Sequence, residues 1–140
     1  MTVNKTFITV EAIILAPVEI VWQYWTSVEH IINWNRASED WHTTFAENDL
    51  NEGGNFLYRM SAKDEKFSFD LMGVYDRVKE YELLEYTLSD ARKVKIEFTS
   101  MDEYTKLVEC FEVELVSSVD LQKNGWQSIL NNFKKYVEEN

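Results

Sequence analysis

The stretch from Leu121 to Tyr136, LQKNGWQSILNNFKKY, is the strongest constraint in this sequence. Its large apolar residues, Trp126, Ile129, Leu130, Phe133, Tyr136 and the following Val137, fall at i, i+3, i+4, i+7, i+10 and i+11. That is the stripe of an amphipathic helix with one broad apolar face. Gln127, Asn131, Lys134, Lys135 and Glu138 make the opposite, wet face. A helix of this kind draws its stability from packing and must lie against a wide apolar surface. Ser118 or Asp120 can cap its start.

The preceding segments supply that surface. Thr6 to Leu15 is β-branched and apolar and reads as a strand. Ala16-Pro17 opens a helix carrying Val18, Val21, Trp22 and Trp25 on its apolar stripe, with Pro at the first helical position. A second short helix, Val28 to Ile32, follows the Thr26-Ser27 break, and Asn33-Trp34-Asn35 leaves it as loop. Strands are then expected over Trp41 to Glu47, Phe56 to Ser61, Phe67 to Val78, Leu83 to Leu88, Val94 to Phe98 and Tyr104 to Val116. Gly53-Gly54 marks a sharp reversal, and Gly73 a bulge or bend in the long strand. Lys63-Asp64-Glu65, Glu80-Tyr81-Glu82, Ser89-Asp90-Ala91 and Asp102-Glu103 are tight turns, which implies an antiparallel meander. The sequence therefore predicts a single α+β domain over residues 1–140, its helices on one face of an antiparallel sheet.

The totals exclude several classes of function. A net charge of −11 repels phosphate backbones and anionic membrane surfaces, so neither nucleic acid nor membrane insertion is expected. The single Cys110 rules out an intrachain disulfide and suits a reducing, cytoplasmic setting, as does the lack of a signal or membrane-spanning run. Two histidines and one cysteine without ligand spacing make no metal site, and Gly53-Gly54 lacks the context of a phosphate loop. No cofactor is implied. Aromatic residues make up 14% of the chain, a large supply for either a core or a cavity wall.

The order strand, two helices, six strands, long helix is similar to the helix-grip fold of the START-like (SRPBCC) superfamily. Pro17-Val18-Glu19-Ile20-Val21-Trp22 resembles the P-x-x-x-V-W opening of the first helix in one of its families. Trp34, Asp49 to Phe56 (DLNEGGNF), Gly73-Val74-Tyr75, Phe111-Glu112 and Gly125-Trp126 follow in the matching order. Together they resemble, over the whole chain, the family named after the C-terminal domain of the activator of heat-shock-protein-ninety ATPase. The resemblance implies a curved sheet wrapped around the C-terminal helix. It also implies a cavity between them that takes lipids, sterols, polyketides or hormones in superfamily relatives, a few of which are cyclases. Contact with a chaperone is the family's other implication. The co-chaperone that names the family has an additional N-terminal domain for which 140 residues leave no room. Monomer and weak homodimer are both compatible with the chain.

Candidate cavity residues come from helices and strands alike. Trp22, Trp25 and Trp34 belong to the first helices and the loop after them. Phe56, Tyr58, Phe69 and Met72 belong to the strands, and Trp126, Ile129 and Phe133 to the last helix. Gly125 is expected to allow close contact where that helix enters the grip. In the last strand Leu107, Glu109, Phe111, Val113 and Leu115 share one face, with Cys110 on the other, so Glu109 projects toward the final helix. A carboxyl there is hydrogen-bonded, paired with Arg59 or His42, or held protonated. Three readings follow: a binding domain for a small hydrophobic molecule, a cyclase or hydrolase with Glu109, His42 or Asp70 as general base, and a chaperone-interacting module. The same residues also fit a solid core with ion pairs at its rim.

Overall fold

A computed structural model describes residues 6–114 and 118–140. Strand β1 (Phe7–Ile14) is followed by α1 (Val18–Thr26) and α2 (Val28–Trp34). Six strands come next, β2 (Trp41–Asn48), β3 (Asn55–Ala62), β4 (Ser68–Lys79), β5 (Leu83–Leu88), β6 (Lys93–Met101) and β7 (Tyr104–Glu112). Helix α3 (Val119–Glu139) closes the chain. The seven strands form one antiparallel sheet in the order β1-β7-β6-β5-β4-β3-β2. The meander is thus complete, and β1 adds to its far end against β7. The sheet curls around α3 in the α+β helix-grip arrangement.

Each of the four expected tight turns is made the same way. Glu65, Tyr81, Ala91 and Asp102 all adopt the left-handed conformation, with φ between 62° and 75°. Such a residue closes a hairpin without splaying strands that twist to the right. Pro17 sits one position outside α1 as its cap residue. Ser118 caps α3, its side chain accepting a hydrogen bond from the Leu121 amide at 3.0 Å. Leu115 lies outside the described residues, as does Val116 at the expected end of the last strand.

Three local expectations are corrected. Trp34 is the last residue of α2 rather than loop, held by its indole N–H donating to the Tyr24 carbonyl at 2.8 Å. The irregularity of β4 lies between Tyr75 and Arg77, not at Gly73. Gly73 keeps regular pairing with Phe56 and Leu88. Its hydrogen side chain is needed because the Phe56 ring crosses it: a Cβ would meet that ring at 2.7 Å. At Gly125, by contrast, a Cβ would meet nothing within 4 Å, so no close approach depends on it.

The core fills the trough between the concave face and the helices. Leu84, Ile96, Leu107 and Phe111 from the sheet meet Leu130, Phe133 and Val137 from α3, with Val21 and Ile31 from the short helices. Phe133 is fully buried, and its ring stands edge-on to Trp25 and to Trp34 at 4.8 Å each.

Candidate functional site

The packing of α3 is uneven along its length. Its C-terminal half is buried at Leu130, Phe133 and Val137, whereas Trp126 and Ile129 are only partly covered. Beneath Trp126 and Ile129 the concave face carries large rings rather than branched aliphatics, and these leave a cavity of about 130 Å³. Trp25 and Trp34 form one wall, stacked at 4.7 Å, and Tyr58, Leu71, Tyr75 and Tyr86 the other. Trp126, stacked on Phe111 at 4.1 Å and within 8° of parallel, covers the end near the start of α3. Met60, Phe69 and Asn35 complete the lining. A second, open depression of about 340 Å³ shares Met60, Phe69, Trp126 and Ile129 with the cavity and is rimmed by Trp41 and Leu121. Phe69 is 50% exposed and Leu121 70%, so the mouth is apolar and faces solvent.

One ionisable carboxyl enters this space. Alternation along β7 turns Glu109 inward between Leu107 and Phe111, and its strand is flanked by β1 through Val10 and by β6 through Ile96. The residue is 4% exposed. Among the described residues no hydrogen bond or ion pair reaches its carboxyl, whereas every fully enclosed polar side-chain atom has a partner. The Glu109 oxygens therefore open onto the cavity instead of into packed protein. Burial pushes its pKa up to about 8, with no neighbouring cation to oppose it. At neutral pH it is a carboxylic acid, able both to donate and to accept.

The tyrosines opposite make the polar part of the cavity wall. The Tyr75 hydroxyl donates to Asn48 Oδ1 at 2.7 Å. Burial raises the Tyr75 phenol to about 12 and those of Tyr58 and Tyr86 well above the usual range, so all three stay neutral. Asn35 is tied to Thr43, its side-chain amide donating to the hydroxyl at 3.2 Å and its carbonyl accepting from it at 2.6 Å.

The residues singled out from sequence fall into three groups. Trp25, Trp34, Tyr58, Phe69, Glu109, Trp126 and Ile129 surround the cavity. Trp22, Phe56 and Phe133 lie in the solid core instead: Trp22 packs on Phe98 at 5.0 Å, and Phe56 on Tyr58 and Tyr86. Met72, His42 and Asp70 point away. Met72 lies on the convex face because the pairing of Phe69 with Met60 through Val74 with Asn55 is unbroken. With Phe69 inward, a residue three positions on must face out. Asp70 shares that outward face and makes a two-pronged ion pair with Arg59, at 2.9 and 3.2 Å. His42 pairs with Ser61 one position from the inward pair Thr43–Met60. Glu109, His42 and Asp70 therefore do not converge, and neither Arg59 nor His42 partners Glu109.

Met60, Leu71, Tyr75 and Tyr86 were legible as lining from the two-residue period of their strands. Asn35 had no local signal, since its place depends on contacts with β2. Among the described residues no group of three or more His, Cys, Asp or Glu could hold a metal ion. No helix among them is long and apolar enough to cross a membrane.

Residues 15–138 match the family described as Activator of Hsp90 ATPase homolog 1-like protein. Among solved structures, the solution structure of an AHSA1-like protein from Aeromonas hydrophila is 40% identical, with a TM-score of 0.91, covering 96% of this chain and 93% of that one. A solution structure from Cytophaga hutchinsonii is 49% identical, with a TM-score of 0.82, covering 94% and 92%. A crystal structure from Nitrosomonas europaea, 17% identical with a TM-score of 0.80 over 95% and 94%, shares the fold. No match was found among curated proteins.

Proposed function

The chain belongs to the Activator of Hsp90 ATPase homolog 1-like family of START-like proteins, and from that premise we propose that it binds a small hydrophobic molecule between the sheet and α3 without transforming it. The fold is in general that of a ligand-binding domain. The observation that carries the finer reading is the aromatic cavity under Trp126 and Ile129, with Glu109 as its one ionisable carboxyl. A volume of about 130 Å³ is close to the roughly 150 Å³ of an engineered cavity known to take benzene. It is below the roughly 300–1,000 Å³ of sites for drug-sized ligands. The enclosed part of the ligand is therefore one ring with a short substituent, and any longer tail leaves past Phe69 and Leu121. The general-base reading loses its support with the divergence of His42 and Asp70 from Glu109.

Native mass spectrometry of the purified protein, followed by titration with indole and ethylbenzene, tests this reading. Saturable one-to-one binding is expected, with a change in fluorescence from Trp25, Trp34 and Trp126. The variant Ile129→Trp, which fills the cavity, is expected to abolish it. An interior that takes up no apolar probe would overturn the proposal.

A further inference from the structure

The polar composition of the cavity narrows its ligand further. Seven of the twelve lining residues are aromatic, and none is Lys, Arg or His. A carboxylate or phosphate ligand would lose its hydration here with no cation to receive it and only a neutral carboxyl opposite, so fatty acids and other anions are disfavoured by desolvation. A cation meets the reverse. The rings of Trp25, Trp34, Tyr86 and Trp126 line the space, and a cation beside an aromatic ring is held most strongly where water is removed. Glu109 supplies the counter-charge at the floor, its oxygens open to the cavity and unclaimed by any described residue. The chain's net charge of −11 adds a long-range attraction for cations and repulsion of anions.

We propose that the cavity selects a compact aromatic amine, its ammonium group paired with Glu109 and its ring stacked among the tryptophans. The inference rests on the reading of this cavity as a ligand site and deepens it. It predicts that binding costs Glu109 its proton. The free carboxyl is raised by burial to about 8, so at neutral pH the incoming ammonium displaces a proton to solvent. The groups facing Glu109 do not blur that titration. Tyr58 on β3, Tyr75 on β4 and Tyr86 on β5 stay neutral, their phenols raised by burial. Trp25, Trp34, Asn35, Trp126 and Ile129, which face it from the helical side, carry no titratable group.

Three probes with one ring and different heads separate the outcomes: 2-phenylethylamine, 2-phenylethanol and phenylacetate, titrated calorimetrically from pH 6 to pH 9. The amine is expected to bind at least about tenfold more tightly than the alcohol at pH 8, the equivalent of one desolvated cation–π contact. Its affinity is expected to rise with pH while the amine stays protonated, with proton release seen as a dependence of the heat on buffer. Phenylacetate is expected not to bind. Glu109→Gln is expected to erase the amine's advantage over the alcohol. Equal or tighter binding of the alcohol, or a preference that survives in Glu109→Gln, overturns the inference and leaves the hydrophobic site standing. If no probe binds, the cavity reading itself fails along with it.

Discussion

Glu109 and Asp70 stand on opposite faces of one sheet, and the sheet drives their proton affinities in opposite directions. On the concave face Glu109 is enclosed by rings and without a cation, and burial raises its pKa to about 8. On the convex face Asp70 lies in water beside Arg59, whose hydrogen bonds hold it below the ordinary carboxylate value. Side-chain chemistry is nearly the same in both; what differs is which parity of the strand carries it. Folding stabilises the neutral form of one and the charged form of the other. Uncompensated cost on a buried face is the mark of a site, whereas the exposed pair on the convex face is ordinary surface electrostatics.

The sharpest break of this comparison is a truncation on the packed part of the concave side. Phe133 is fully enclosed and packed edge-on against both Trp25 and Trp34. Phe133→Ala is expected to cost about 3–5 kcal/mol in urea unfolding, since both the transfer energy and a new void count against it. Ile129→Ala, beside an existing cavity and partly uncovered, is expected to cost clearly less. Equal losses would mean that the two halves of α3 are packed alike, and that the hollow under Ile129 is not a distinct region.

The next effect is in pH. A carboxyl whose pKa is higher folded than unfolded lets the folded state hold more protons between the two values, so stability falls as pH rises through that window. For Glu109 the window runs from its ordinary value of 4.5 to about 8. The loss across it is on the order of several kcal/mol at most, counting about 1.4 kcal/mol per pH unit. Glu109→Gln is expected to flatten that part of the stability profile while leaving the acid limb. On the acid limb Asp70 acts with the other sign: its stabilising pair with Arg59 is present above the unfolded value of 3.8 and is lost as pH falls. Denaturant melts of both proteins from pH 2 to pH 9 check this. A slope that survives unchanged in the Gln variant would assign it to the general acidity of the chain and not to the cavity.

Much of this arrangement was legible from periodicity. The seven-residue rhythm of α3 and the alternation Leu107, Glu109, Phe111 follow directly from helix and strand geometry, so the helix stripe and the inward carboxyl could be read locally. The turns could be read because each needs residues that tolerate a left-handed backbone or a polar reversal. What local pattern could not distinguish was wall from core. Trp22, Phe56 and Phe133 belong to the same apolar faces as Trp25, Tyr58 and Ile129. A cavity is the volume left over when rings from three strands and three helices fail to meet, and no single stretch encodes that remainder. Asn35 was missed for the related reason that its partner Thr43 is set by tertiary placement.

Met72 isolates the last and smallest effect, and the most direct test of which face is which. It stands three residues after Phe69 in a strand with no bulge between them, and 39% of its surface is exposed beside Leu57 and Val74 on the convex side. Met72→Lys there keeps a long aliphatic stem over the same neighbours and puts its ammonium in water. The expected change is within about 0.5 kcal/mol, the usual range for a surface substitution. Were Met72 part of the cavity wall, the same change would bury an unpaired ammonium among tryptophans and tyrosines, or force it beside Glu109. Either would show as a large loss of stability or a shift in the pH profile. A melt of the Lys variant that overlays the parent from pH 5 to pH 8 places Met72 outside. It also leaves Glu109 alone in setting the charge balance of the concave face.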